Sequence, residues 1–176
     1  MKKYIVIFII VFFGCNDQKL KWFSGSLEEA FLDQDNKIIM VDFYTDWCIP
    51  CKQIDSETFT NEEVINKIEK NFIPIKINAE SKYGLPLFEQ YKGTGYPMIL
   101  FLDKNKNELD RLYGFYGPDS FIKKLNNVLS GDGTFTDLLT KYKLGDNSSS
   151  TIYELAKKYF SKGEFDDAAV LFEEVL

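Results

Sequence analysis

Two cysteines separated by two residues, Cys48 and Cys51 in "DWCIPCK", are the side chains of this sequence best suited to chemistry. Such a pair can supply two ligands of a metal site, close a short structural disulfide, or cycle between dithiol and disulfide. A structural zinc site takes four ligands. The chain has no histidine, and its third cysteine, Cys15, lies far away in an N-terminal segment. No metal site is therefore expected. A disulfide across so small a loop removes little unfolded-state entropy, about 2 kcal/mol in the chain-entropy relation. That is a weak reason for a well-cored domain to keep it. The dithiol use has a stronger physical cause. With Cys48 at a helix N-terminus, unpaired N–H groups and the helix dipole favour its thiolate, the attacking form. Cys51, one turn later on the same side, is placed to attack the resulting mixed disulfide and release the substrate. Pro50 stiffens the first turn, where its missing N–H costs nothing. Trp47 offers a flat apolar edge that can shield the sulfurs and face a partner chain.

The rest of the composition narrows the context. Across 176 residues, 45% are apolar and 16% aromatic, enough for one ordinary domain core with something smaller attached. The net charge is -6 and the isoelectric point near 4.8, which argues against nucleic acid as a partner. The absence of histidine excludes Ser-His-Asp and Cys-His catalysis. Acid–base work near neutral pH must then fall to a perturbed carboxylate, cysteine or lysine.

The chain opens "MKKYIVIFIIVFFGC", two lysines followed by an apolar run from Tyr4 to Phe13. That run is about half of the roughly 20 residues a spanning helix needs. A charged start, a short apolar stretch and a small residue at its end describe a signal peptide over residues 1–14. Gly14-Cys15 resembles the lipobox of bacterial lipoproteins, although Phe12 stands where that pattern usually has leucine. The resemblance implies a lipid on Cys15 and a tether over 15–21, holding the chain on the periplasmic side of a bacterial membrane. Disulfides persist in such a compartment, and with Cys15 lipidated the other two cysteines form a self-contained pair.

These cysteines need elements to hold them. "SLEE" at Ser26–Glu29 is a capping box opening a helix. "KIIMVDFYT" is an almost unbroken apolar run, as expected of a strand covered on both faces. A helix is expected to start at the cysteines, and a second capping box, Thr60 with Glu63, to open another. "FIPIKINAE" reads as a buried strand and "GLPLFEQYKG" as a short helix closed by Gly93. "PMILFLDKNKNELDRLYGF" reads as a hairpin turning through Asp103–Asn107, and Pro118 as the start of a last helix. Alternating helices and strands that end in an antiparallel pair imply an α/β fold with a central mixed sheet. Past Gly131 come a short helical piece and "GDNSSS", which reads as a flexible linker. The last stretch, "TIYELAKKYFSKGEFDDAAVLFEEVL", resembles a single tetratricopeptide repeat.

"VDFYTDWCIPCK" resembles the active-site stretch of the thioredoxin superfamily, and the likeness runs from about Trp22 to Leu129. "GTGYPMILF" resembles the segment whose proline is cis and packs against the cysteine pair, which would make Pro97 that residue. The resemblance implies a thioredoxin fold over 22–130; a connecting helix and linker are expected over 131–150, and a single or incomplete tetratricopeptide-like repeat over 151–176. It implies Tyr96, whose backbone would pair with an extended substrate chain, and Asp42, a buried acid that would take the proton of Cys51. It also implies Lys76 as the lysine beside that acid. Trp47, Ile49, Pro50, Tyr96 and Pro97 would then form the substrate-binding surface. Ile49 departs from the glycine common in thioredoxin itself, and Met98 from a frequent threonine. The long stretch after the cysteines is closer to exported thiol:disulfide interchange domains. The implied function is an exported enzyme, without cofactor, that exchanges disulfides with protein substrates and a redox partner, in the reducing or isomerising direction. The alternative is an adaptor that binds partners through the repeat and the Tyr96–Pro97 surface without redox turnover.

Overall fold

A computed structural model of the chain describes residues 19–33 and 35–176. The expected signal peptide, Cys15 and the first part of the tether lie outside the described residues.

The chain begins with helix α1 (Leu27–Leu32), strand β1 (Ile38–Tyr44) and helix α2 (Ile49–Gln53). Helix α2 runs on as a π-helical turn over Ile54–Thr58, before α3 (Glu62–Asn71), β2 (Phe72–Asn78) and α4 (Gly84–Gln90). Strands β3 (Met98–Leu102) and β4 (Glu108–Tyr113) form the hairpin, and α5 (Pro118–Ser130) closes the α/β unit. Helices α6 (Phe135–Lys143), α7 (Ser149–Ser161) and α8 (Phe165–Val175) follow.

The sheet has the order β2-β1-β3-β4, with β1 and β2 parallel and the other pairs antiparallel. Alternation along β1 sorts its side chains between two cores. Ile39, Val41 and Phe43 face a core shared with Leu27 and Ala30 of α1 and Leu87 and Phe88 of α4. Met40 faces the opposite core, with Ile54, Val64, Ile65 and Ile68 and, from α5, Phe121 and Leu125. Asp42 and Tyr44 share the parity of Met40, so the acid of this strand points to the side where α2 lies. The central position of β1 explains its apolar run: both faces are covered.

The Ser26–Glu29 capping box forms as expected, each side chain bonded to the other residue's amide. The next helix start differs. Asn61, rather than Thr60, caps α3 by accepting from the Val64 amide at 3.2 Å. The Thr60 hydroxyl is already committed, donating to the Ser56 carbonyl at 2.7 Å across the π-helical turn. The close of α4 also differs in its cause. Lys92, not Gly93, takes the left-handed conformation, with φ of 50°. Gly93 is required by space, because a Cβ there would lie 2.2 Å from the Phe88 ring. The stretch expected as a slack linker is organised: Ser148 caps α7, and Asp146 accepts from the Ser148 amide at 3.1 Å and the Thr151 hydroxyl at 2.8 Å.

Helices α6, α7 and α8 bury a small core of Leu138, Ile152, Leu155, Ala156 and Leu171. α7 also lies against the edge strand β4, where Lys158 reaches both carboxylate oxygens of Asp110, at 2.5 and 2.6 Å. This covers an edge that would otherwise offer unpaired strand groups to another chain. Among the described residues no helix is long and apolar enough to cross a membrane.

Candidate functional site

Three chain segments meet at one end of the sheet: the exit of β1, the exit of β2 and the entry to β3. β1 leads through Thr45 into the cysteines, and the Thr45 carbonyl accepts from the Cys48 amide at 3.2 Å. Cys48 is extended, at φ -70° and ψ 107°, and is the N-cap of α2. Pro50 falls in the first turn, where no amide donor is needed. Cys48 and Cys51 are joined by a disulfide, and both are only 2% exposed. The Cys51 amide points at Cys48 Sγ from 3.1 Å. An N–H donor is thus in place for negative charge on that sulfur when the bond opens.

The rim around the buried disulfide is apolar and open. Ile49 is 78% exposed and Trp47 63%. Trp47 is held by a hydrogen bond from its indole N–H to Glu80 at 3.0 Å and by an edge contact with the Tyr96 ring at 5.8 Å. Tyr96 in turn packs at a tilt on Phe88 at 4.8 Å, and Phe88 meets Phe43 edge-on at 5.7 Å, tying the rim to the core. The Tyr96–Pro97 peptide is cis. Pro97 is buried, and because Met98 pairs with Phe43, it stands at the sheet end where β1 gives way to the cysteine loop.

On the side of the sheet where α2 lies is a charged cluster. Asp42 is wholly buried, and Lys76, its register partner on β2, donates to Asp42 Oδ2 at 2.9 Å. Oδ1 is buried with no hydrogen-bond partner among the described residues. Lys76 also pairs with Asp55, which the π-helical turn brings round from just beyond Cys51. The ammonium sits among the rings of Trp22, Tyr44 and Phe59, 5.1, 5.0 and 5.8 Å from their centroids. Burial pushes the Asp42 carboxyl above the ordinary aspartate range; Lys76 opposes this in part, and Asp55 adds to it. Burial works against the charge of Lys76, but Asp42 and Asp55 outweigh it and hold the ammonium above the usual lysine range. A buried acid with its pKa raised is a stronger base than an exposed aspartate, and so better equipped to accept a proton.

The structure thus joins Cys48 to Cys51, pairs Asp42 with Lys76, and sets Trp47 against Tyr96. Asp55, Glu80 and Thr45 were not anticipated. Asp55 follows Cys51 by four residues, a helical spacing that could have flagged it. Glu80 lies two residues past the end of β2, at the sheet end that carries the cysteines. Thr45 was hidden, because a hydroxyl that is buried and unpartnered among the described residues leaves no trace in sequence.

Residues 27–129 match the family model of a thioredoxin-like domain. The thiol:disulfide interchange protein DsbD of Haemophilus influenzae (strain PittGG) is 30% identical over 110 residues, 60% of this chain and 19% of the relative. Its counterpart in Actinobacillus pleuropneumoniae serotype 5b is 31% identical over 107 residues, 59% of this chain and 18% of the relative. The chain therefore spans about a fifth of the length of these relatives. A solved structure of a putative disulphide-isomerase from Bacteroides thetaiotaomicron is similar with a TM-score of 0.57 and 26% identity, over 63% of this chain and 93% of that one. The C-terminal domain of Neisseria meningitidis DsbD in its oxidised form is similar with a TM-score of 0.50 and 27% identity, over 57% and 91%. The family match ends before α6, α7 and α8.

Proposed function

Because this chain belongs to the thioredoxin-like domain family, we propose that it is a thiol–disulfide oxidoreductase that reduces or isomerises disulfides in exported proteins. The observation that carries this reading is the Cys48–Cys51 disulfide at the mouth of α2, with an amide donor on one sulfur. Similarity to proteins named for thiol:disulfide interchange supports it.

In the reducing direction the dithiol form acts. The Cys48 thiolate attacks one sulfur of a substrate disulfide and expels the other, which takes up a proton. Asp42 accepts the proton of Cys51, and the Cys51 thiolate attacks Cys48 Sγ. The substrate leaves as a dithiol, having gained two electrons and two protons, and the Cys48–Cys51 bond closes. A donor dithiol on a redox partner reopens it by the same exchange in reverse. Lys76 holds the charged form of Asp42 in place. Ile49 and Trp47 bind apolar side chains of the substrate, and the Tyr96 backbone pairs with its extended chain beside Pro97.

Direction is tested by equilibrating the protein with glutathione. The dithiol–disulfide proteins with known potentials span about -270 to -120 mV, where 30 mV corresponds to about 1.4 kcal/mol. A midpoint towards the negative end supports a reductase and an intermediate one an isomerase; one near the upper end makes the protein an oxidant. Residues 22–130 form the catalytic domain in this scheme, and 151–176 a tetratricopeptide-like repeat that helps to recruit partners. Export on a lipidated Cys15 completes it, and mass spectrometry of the mature N-terminus decides that point: an unmodified Cys15 removes the anchor.

A further inference from the structure

The turn between α7 and α8 lies against the segment that leads into Tyr96, and one buried cation joins them. Arg111 of β4 is only 4% exposed. Its Nε and Nη2 fork onto the two carboxylate oxygens of Glu108, at 2.7 and 2.5 Å. Its remaining nitrogen, Nη1, faces both the Lys92 carbonyl at 3.3 Å, in the segment that leads into Tyr96, and the Ser161 carbonyl at 3.5 Å, at the end of α7. Nη1 also reaches the Tyr113 hydroxyl at 3.4 Å. That hydroxyl accepts from the Thr94 amide at 3.2 Å and donates to Met98 Sδ at 3.1 Å. The two residues gripped by Tyr113 therefore bracket Tyr96 and Pro97.

The helical side of the seam is tied as closely. Lys162 reaches Glu108 at 3.2 Å, completing a link from β4 to the α7–α8 turn. A Cβ on Gly163 would lie 3.3 Å from the Thr94 side chain, so the turn and the segment are in near contact. Lys92 itself holds a left-handed backbone that a lysine rarely adopts. Such a conformation persists where its surroundings over-determine it, and the hydrogen bond from Arg111 to its carbonyl is one such constraint.

We propose that the α7–α8 hairpin, acting through Arg111, sets the position of residues 92–97 for an extended protein substrate. Arg111 is a positioning residue: it touches neither cysteine sulfur nor substrate, and works through Lys92, Tyr113 and Thr94. The inference rests on the reading of Tyr96 as the backbone partner of the substrate. A charged node suits this task because a guanidinium fork fixes direction as well as distance.

The test compares Arg111→Met with Lys162→Met, which keeps the Arg111–Glu108 fork and so guards against simple unfolding of the first variant. Each is assayed with insulin as a protein disulfide and with 5,5′-dithiobis(2-nitrobenzoic acid) as a small disulfide that has no chain to align. For Arg111→Met the KM for insulin is expected to rise roughly tenfold, since small misplacements of a binding group are costly. kcat, the small-disulfide rate and the glutathione midpoint stay near wild type, and Lys162→Met shows the same pattern more weakly. Hydrogen exchange provides a readout independent of activity: the Thr94 amide exchanges about tenfold faster in Arg111→Met as its local opening becomes easier. Equal losses on both disulfides, or unchanged exchange at Thr94, overturn the proposal. Failure of the wild-type protein on both disulfides would sink the redox reading itself, while the exchange data would still judge the coupling.

Discussion

Replacing Cys48 by serine reduces insulin reduction to the uncatalysed background, a loss of roughly 10³-fold or more, the scale seen when a nucleophile is removed from a coupled unit. The size of the effect follows from the geometry. Cys48 caps α2 and receives the Cys51 amide, so it is the sulfur with a donor for negative charge. Serine in its place keeps the cap, since a hydroxyl oxygen accepts from the same amide. The fold survives and the chemistry does not. Urea unfolding of the variant under reducing conditions should therefore match reduced wild type, and thermal or urea midpoints check this directly. A variant that kept substantial activity would assign the attack to another group.

Asp42→Asn slows the resolving step by about 10² to 10⁴, the usual contribution of a positioned general base. Wholly buried, with its carboxyl pushed up by that burial, Asp42 must be deprotonated to take the Cys51 proton. The rate of release from the mixed disulfide therefore rises with pH as the pH passes through the raised Asp42 pKa, and levels off above it. The side-chain amide that replaces the carboxyl in the variant cannot titrate, so this rising limb disappears. Lys76 lowers the Asp42 pKa from the value that burial alone would impose. In Lys76→Met that opposing charge is gone, and the limb moves to higher pH. Stopped-flow tryptophan fluorescence follows the step, because Trp47 sits on the rim beside the sulfurs. A limb unchanged in Asp42→Asn would assign the proton transfer to solvent or to a thiol alone.

Much of this site could be read from the residues. The apolar run around Asp42 marked a strand covered on both faces, so an acid within it had no solvent face to occupy. The parity of Asp42 with Met40 then turns it to the side of α2. Lys76 followed from resemblance, and the parallel register of β1 with β2 explains it, placing the two residues directly opposite. Asp55 stands at a helical spacing from Cys51, but its pairing with Lys76 depends on the π-helical turn, and a widened turn has no clear sequence signal. The cap of α3 was placed one residue early for a related reason: that turn occupies the Thr60 hydroxyl and leaves Asn61 to cap. The seam around Arg111 was equally hidden. Glu108, Arg111, Lys158 and Lys162 read as ordinary surface charges until α7 is laid on the edge of β4, and nothing in their spacing specifies that docking.

With Cys48 as the attacking sulfur and Cys51 as the resolving one, trapping is the most direct test. Cys51→Ser, reduced and incubated with a protein disulfide such as insulin, should accumulate a mixed disulfide, seen as a gel shift that dithiothreitol reverses and mapped by mass spectrometry to Cys48. Wild type should show almost none, because Cys51 clears it. A complex linked through another residue, or no covalent complex with the Cys51 variant while the wild type still binds the substrate, would contradict the exchange mechanism and leave an adaptor that holds its partners without redox turnover.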